Sequence, residues 1–195
     1  TPGRRWLVSP MVFQGRIIDI FMPKGEAYSK YTNLYGITAP FVLPDRSGIR
    51  DYAITPLDGG HLLVMLNNAQ WISHKQIRSA RVKNGEIKAA EFENPKDRFS
   101  PLTPLNFEAI ILSKSKPTND AIIAAIQAQF GLVLRRTAND TELAKYLELT
   151  RSAIDVAGNT EGLRQMLAAI LLESEFLYRL EFGAGAADED GRKML

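Results

Sequence analysis

The chain has 195 residues, of which 45% are hydrophobic, and its 24 basic and 22 acidic residues leave a net charge of +2. This length and apolar content suffice for one large domain or two small ones, whereas the nearly balanced charge provides no strong field for gathering nucleic acid or anionic lipid. The absence of cysteine excludes disulfides, iron–sulfur clusters, thiolate zinc sites and covalently attached haem c from this chain.

The N-terminal part of the sequence predicts two helices separated by an irregular insertion. Ser9-Pro10 is an N-cap followed by a first-turn proline, and apolar residues then recur at helical spacing, which predicts a helix over 10–22. Residues 24–54 mix Gly, Pro, Ser and Asp with tyrosines, so we expect an ordered, irregular, aromatic-rich stretch held down by its rings. Thr55-Pro56 repeats the capping signal and predicts a long helix over 56–81.

Turn-forming residues dominate the middle of the chain. Asn84-Gly85 predicts a turn, with at most a minor hairpin and a short extended piece from residue 86 to 92. Three prolines then indicate a connector, ending at Pro104. We place the clearest domain boundary here, which gives an N-terminal module over 1–104 and a C-terminal module over 105–183.

The C-terminal module is expected to be a three-helix bundle, and the whole chain therefore mainly α. Thr118 caps an apolar stripe that predicts a helix over 119–135, and Asn139 with Glu142 has the spacing of a capping box for a helix over 140–157. Gly158 ends that helix, and Thr160 caps the next, over 160–182. Residues 184–195 are small and acidic, in the manner of a linker to a missing downstream domain, and we interpret both ends as cuts in a longer chain.

Several landmarks of the C-terminal module occur together in a known type of protein. An Arg-Arg pair precedes the acidic helix start at Asn139-Asp140-Thr141-Glu142, and Phe176-Leu177-Tyr178-Arg179 follows after the next helix. This order resembles the helical domains of unknown function in large planctomycete proteins. The N-terminal Arg4-Arg5-Trp6-Leu7 and the two helices after it are similar to the module that precedes those domains. One departure is Glu173-Ser174, which stands where the family commonly has Ser-Pro, so no proline need interrupt the last helix here.

The resemblance implies an exported, periplasmic protein in which such modules adjoin a c-type cytochrome domain. Haem c would then belong to a partner or an adjoining domain, because this chain has no cysteine to attach it. No apolar run approaches the roughly 18 to 20 residues that cross a bilayer, so no membrane span is expected. The setting favours electron transfer or polymer breakdown by the whole assembly.

The candidate interface residues are Arg135, Arg136, Tyr178 and Arg179. Guanidinium groups can bind carboxylates, phosphates or haem propionates, but the arginine pair is more simply interpreted as neutralising a helix C-terminus and pairing with Glu142, Glu173 or Glu175. A tyrosine ring beside a charged residue can attach the last helix to the next module. Tyr178 and Arg179 therefore place the expected interface on the last helix of the C-terminal module.

Other polar residues have simpler interpretations as structural or solvated groups. His61 and His74 are thirteen residues apart on one predicted helix and diverge around its axis, so they are not expected to share a metal. The acidic residues Glu173, Glu175 and Glu181 fit a solvated helix face better than a paired-carboxylate glycosidase site. We assign no catalytic, cofactor-binding or metal-ligating residue. No nucleic-acid partner is expected from the one basic cluster, which comprises Lys75, Arg78, Arg81 and Lys83.

Two functional hypotheses remain open at this point. The first is a non-catalytic helical scaffolding and interaction module of an exported, cytochrome-linked redox assembly. The alternative is an incomplete part of an oxidoreductase or polysaccharide-acting enzyme whose active site other domains complete. Whether the chain serves an enzyme is therefore undecided from the sequence.

Overall fold

The protein is mainly α-helical. The computed structural model describes residues 4–7, 10–21, 59–92 and 101–181. Two short strands and six helices follow one another in these ranges: β1 Arg4–Leu7, α1 Pro10–Phe21, α2 Gly59–Lys83, α3 Leu105–Leu112, α4 Asn119–Val133, α5 Asp140–Leu171, α6 Ser174–Leu177 and β2 Tyr178–Glu181. The expected aromatic-rich insertion over 24–54 and the expected linker over 184–195 lie outside the described residues.

Local capping chemistry explains where several helices begin and end. The Thr118 side chain accepts from the backbone N–H of Ala121 at the start of α4. Asn139 and Glu142 form a reciprocal capping box at the start of α5, as their spacing predicts. At the end of α2 the residue after Asn84 is Gly85, whose φ of 74° lets the chain turn out of the helix. The Asn84-Gly85 pair is thus a helix C-cap.

A break at Gly158 divides α5 into two halves, 140–157 and 159–171. Gly158 has φ 84° and ψ 174°, a conformation that essentially only glycine adopts. The halves turn so sharply that a Cβ at Gly162 would lie 2.7 Å from the backbone nitrogen of Ile154. On a straight helix these two residues would be about 12 Å apart. The break expected between 157 and 160 is therefore a tight corner between two packed helices.

The core is formed by two adjoining groups of buried side chains. The first joins the end of α2 to α3, α4 and both halves of α5, and Phe107, Phe130 and Tyr146 are its largest members. The second joins α1, the first half of α2, the end of α5 and α6. A buried amide pair crosses the first group: Gln76 Nε2 donates to Gln129 Oε1 at 2.9 Å, and Gln129 also donates to the carbonyl of Leu167.

The secondary structure differs from the expectations in two places, α3 and the last predicted helix, and the segment 86–92 stays within the limit of at most a minor hairpin. Helix α3 forms where the prolines predicted only a connector, because Phe107, Ile110 and Ile111 provide a buried face between Pro104 and the loop after it. No strand forms over 86–92, where the described chain has turns and irregular backbone. The expected helix over 160–182 stops at Leu171, and the chain continues as α6 and β2.

The last of these corrections has a tertiary cause. At Glu173 the backbone is extended, with φ −61° and ψ 143°, and the residue becomes the N-cap of α6. Its carboxylate accepts hydrogen bonds from Lys145 and Tyr146 in the first half of α5. A continued helix could not keep this contact, so the chain leaves the helical path without needing a proline.

The two strands pair residues from opposite ends of the described chain. β1 and β2 are antiparallel, with Arg4 opposite Glu181 and Leu7 opposite Tyr178. Since α2 shares its buried surface with α3, α4 and α5, the helical core includes residues from both sides of residue 104. The domain boundary at that residue, and a separate three-helix bundle beyond it, stay predictions.

Candidate functional site: an apolar helix face and a polar cleft

An ion-pair cluster, which we call the α6 latch, fastens α6 to the start of α5. Arg136 forms two hydrogen bonds to the Glu142 carboxylate, at 2.6 and 2.8 Å, and two more to Glu175, both at 2.8 Å. Its guanidinium also lies 5.2 Å from the centre of the Phe130 ring. These hydrogen bonds from Arg136 hold the pKa of Glu142 below its usual range.

Glu173 completes the α6 latch with its two donors. Lys145 Nζ lies 2.8 Å from the Glu173 carboxylate, and the Tyr146 hydroxyl donates to the same oxygen. Burial opposes the charge on Glu173, but these hydrogen bonds outweigh it and lower the pKa of the carboxyl group. Burial and the bond to Glu173 together raise the pKa of Tyr146. The ionised carboxylates of the α6 latch therefore hold α6 against the start of α5.

The four predicted interface residues lie near this cluster but differ in their surroundings. Arg136 is committed to the intramolecular pairs of the α6 latch, in agreement with the structural interpretation of the arginine pair. Arg135 is exposed, has a φ of 61° and pairs with Asp19 of α1 at 3.3 Å. Tyr178 is half-buried against the second core group, and Arg179 lies opposite Trp6 in the ladder. Their role in binding a partner stays a prediction.

The remaining sequence candidates are dispersed. His61 lies in the first turn of α2, whereas His74 stacks on Trp71 and is 3.1 Å from Arg81 through its Nδ1 atom. In the basic cluster, Lys75 and Arg78 are buried. The other two basic residues of the cluster, Arg81 and Lys83, pair with Glu86 and Glu108 respectively. The cluster does not form an open basic surface.

Helix α3 carries an apolar face that other described elements do not cover. Leu102 is 88% exposed, Leu105 80% and Leu112 40%, and the exposed Ala109 lies between the last two. Positions 105, 109 and 112 lie within about 60° of one another around a helix axis. We call the three residues at these positions, together with Leu102 just before the helix, the α3 stripe. The opposite side of the helix is buried, so α3 is apolar on both sides.

A polar cleft of about 610 Å³ opens at the corner of α5. Its walls come from the end of α2, the loop after α3 and the start of the second half of α5. We call it the corner cleft. Its charged lining residues are Arg81, Glu86, Lys114, Lys116, Glu161 and Arg164.

Internal bonds fix the walls of the corner cleft. Asn159 Nδ2 donates to the carbonyls of Ile110, Ser113 and Ser115, at 3.3, 3.1 and 2.9 Å, and thereby ties the loop to the α5 corner. Thr160 donates to Glu86 at 2.6 Å, which joins the corner to the end of α2. The cleft is therefore held by three elements that are bonded to one another.

Neither the α3 stripe nor the corner cleft follows from the sequence reasoning. The signal for the stripe is a run of leucines between Pro101 and Lys114, in a segment whose prolines predict a connector. For the cleft the signal is the Gly158-Asn159-Thr160 sequence, which predicts a helix end and no more. Both features depend on packing between elements distant in sequence.

Within residues 4–7, 10–21, 59–92 and 101–181, His, Asp and Glu side chains form no group of three or more that could hold a metal ion. In the same ranges, no helix combines the length and the apolar character needed to cross a membrane. No family model, curated protein or solved structure matches the chain.

Proposed function

We propose that the chain is a non-catalytic docking module that binds an amphipathic helix of an adjoining domain or subunit through the α3 stripe. The observation that supports this is the exposure of Leu105 on a short helix whose opposite face is buried, together with the exposure of Leu102 in the segment just before that helix. Contiguous exposed apolar side chains with a polar rim are typical of protein interaction sites. Helix-in-groove and helix-on-helix recognition use such leucines as anchors.

The chemistry around the stripe favours a partner helix with acidic residues beside its apolar face. Lys114 lies two residues beyond the end of α3, whereas Lys83 on one flank is already paired with Glu108 at 2.7 Å. Among the described residues, Lys114 has no ion-pair partner of its own. Acidic groups on the partner would complement this basic end and orient the helix on the stripe.

A second copy of this chain would fit the stripe less well. Antiparallel self-pairing would bring the basic end at Lys114 onto the end at Leu102 and Leu105, where the neighbouring residues Pro101, Thr103 and Asn106 carry no acid. The stripe is also small compared with the roughly 800 Å² per partner of a stable interface. The contact is expected to act together with other contacts of a larger assembly.

The direct test is a titration with a synthetic helical peptide that has leucines at i, i+3, i+4 and i+7 and glutamates on both flanks. We expect saturable binding that Leu105→Glu weakens by at least about tenfold, because the new carboxylate faces the apolar side of the peptide. Leu105→Glu should fold, since the position is exposed and an acid is favourable in the first turn of a helix.

Leu63→Glu is the matched control, because Leu63 is also exposed, at 58%, but lies on α2. Equal effects of the two variants would contradict the assignment to α3. Concentration-dependent dimerisation that Leu105→Glu abolishes would replace the proposed partner with a second copy of the chain. Absence of saturable binding would contradict the docking function itself.

The cytochrome-linked, exported setting is a separate proposal that rests on the resemblance of the C-terminal sequence landmarks alone. It is tested by sedimentation of the chain with a soluble c-type cytochrome, followed at the haem absorbance. Co-sedimentation that Leu105→Glu reduces would support it, and free sedimentation of the cytochrome at high chain concentration would contradict it.

A further inference from the structure

The corner cleft has the size and lining of a small-molecule site. Its volume of about 610 Å³ falls within the range of roughly 300 to 1,000 Å³ that such sites commonly occupy. Ile111, Ile154 and Ala157 contribute an apolar part of the lining, and polar side chains from three elements contribute the rest. Inorganic phosphate alone would leave most of this space unfilled.

The charges of the lining favour an anion. Four of the lining side chains are cationic and two are anionic, and Asp155 just outside the lining pairs with one of the cations, so one positive charge is left uncompensated. Arg81 is oriented by Glu86 at 3.1 Å, and Arg164 by Glu161. Lys116 pairs with Asp155 at 2.6 Å, whereas Lys114 has no ion-pair partner among the described residues. A bound anion would compensate this uneven charge.

The guanidinium of Arg164 and the backbone around Lys114 are held in position before any ligand arrives. Arg164 donates to Gln70 of α2 as well as to Glu161, so its guanidinium cannot rotate freely. The loop with Lys114 is tied at both of its neighbours, because Asn159 donates to the carbonyls of Ser113 and Ser115. Groups that are ordered in advance lose little conformational entropy on binding, which favours specific recognition.

We infer that the corner cleft binds a small organic anion, with a carboxylate or phosphate group against Lys114 and the exposed edges of Arg81 and Arg164. Guanidinium and ammonium groups bind both kinds of oxyanion through charge-assisted hydrogen bonds. The carbon skeleton would lie against Ile111 and Ile154. This site shares Lys114 with the basic end beside the α3 stripe but none of the stripe's apolar residues, and its ligand is smaller than any docking partner.

The test is an NMR titration of the isolated chain with glutarate and, in a second arm, with glycerol 3-phosphate. Saturable chemical-shift changes of the Asn159, Thr160 and Glu161 amides are expected with at least one of the two anions. The anion that binds more tightly identifies the preferred anionic group. Lys114→Ala should weaken that binding by about five- to tenfold, because it removes one charge-assisted contact. The lysine is exposed, so the variant should fold.

Lys88→Ala serves as the matched control, because Lys88 is an exposed lysine outside the cleft lining. The Lys88→Ala variant should bind the preferred anion as tightly as the unsubstituted chain does. Two results would overturn the inference: no saturable shift with either anion at about 20 mM, some way above typical Michaelis constants, or equal weakening by Lys88→Ala and Lys114→Ala. Since no peptide takes part, the outcome is independent of docking at α3.

Discussion

Two glycines at the α5 corner have different structural roles. Gly158 supplies a backbone conformation that a side chain would strain, whereas Gly162 supplies space for the other half of the helix. A Cβ at Gly162 would lie 2.9 Å from the Cα of Ile154, and backbone atoms cannot move aside as the tip of a side chain can. The corner therefore depends on a missing side chain as much as on an unusual dihedral angle.

We accordingly expect Gly162→Ala to destabilise the protein by about 3 kcal/mol, the upper part of the range for overpacking a filled core. Gly131→Ala is the control, since Gly131 lies on α4 and a Cβ added there would have no neighbouring atom within 4 Å. That control should gain roughly 0.5 to 1 kcal/mol from higher helix propensity. Urea unfolding of both variants measures the difference, and equal stabilities would contradict the tight corner.

Among the elements, α2, α4 and α5 are joined by the Gln76–Gln129 pair and its hydrogen bond to the carbonyl of Leu167. Both side chains are almost fully buried, at 3% and 0% exposure, so their amide groups depend on each other for hydrogen bonds. Such a pair discriminates between helix registers, because a shift along the axis would separate the two amides. It also explains why these two glutamines occur on the buried faces of α2 and α4.

Gln129→Ala is expected to cost about 1–3 kcal/mol, because it leaves the Gln76 amide buried without this partner. Replacing both glutamines by leucine removes the unsatisfied group and should recover most of that loss. Chemical denaturation of the single and double variants provides the comparison. A double variant as unstable as Gln129→Ala would show that the amide pair is not the cause.

The α6 latch makes the stability of the protein depend on pH in the acidic range. The folded-state pKa of Glu142 lies below its ordinary value, first through its bonds to Arg136, so ionised Glu142 favours the folded state. The pKa of Glu173 is lowered as well. The stabilisation that these two ionised carboxylates give to the folded state is complete above the unfolded-state pKa of about 4.3. It is lost as the pH falls through their lower folded-state pKa values.

The free energy of unfolding should therefore fall between about pH 5 and pH 3. Glu142→Gln should flatten this dependence and lower stability at neutral pH, since it removes a charged partner of Arg136. Glu148→Gln, at an exposed position on the same helix, should leave the profile unchanged. Denaturation series at several pH values test this, and parallel profiles for both variants would contradict the role of the latch.

How far the sequence predicts this structure differs between elements. The starts of α4 and α5 follow from Thr118 and from Asn139 with Glu142, because capping is local chemistry. Helix α3 escapes prediction because it is apolar on both sides, with leucines on the exposed side and Phe107, Ile110 and Ile111 on the buried side, and so has no amphipathic pattern. The end of α5 escapes it because the carboxylate of Glu173 is held by Tyr146, a contact 27 residues away in sequence.

At the scale of the whole molecule, the helical core and the β1–β2 ladder differ in how they are stabilised. Helices α2 to α5 share a large buried group of side chains. The ladder has only four residues in each strand, and a two-stranded pair is marginally stable by itself. Pairing residues this far apart also carries a large loop-closure entropy. The ladder is expected to form late in folding and to open first.

Native-state hydrogen exchange should show this order. The hydrogen-bonded amides of β1 and β2 are expected to exchange through a local opening with a smaller free energy than that of global unfolding. The amides of Phe130 and Met166, both in the core, should exchange only through global unfolding. Identical opening energies for the ladder and the core would contradict this separation.

The register of the ladder also determines how the protein responds to a pulling force. Arg4 lies opposite Glu181, so a tether attached at these two residues would pull at one end of the ladder and across its hydrogen bonds. The bonds would then carry the load one after another, like a zipper, and would not share it as they do when strands are sheared along their length. Under tension the ladder should yield at low force while the helices stay folded, which would lengthen the tether before the core is loaded.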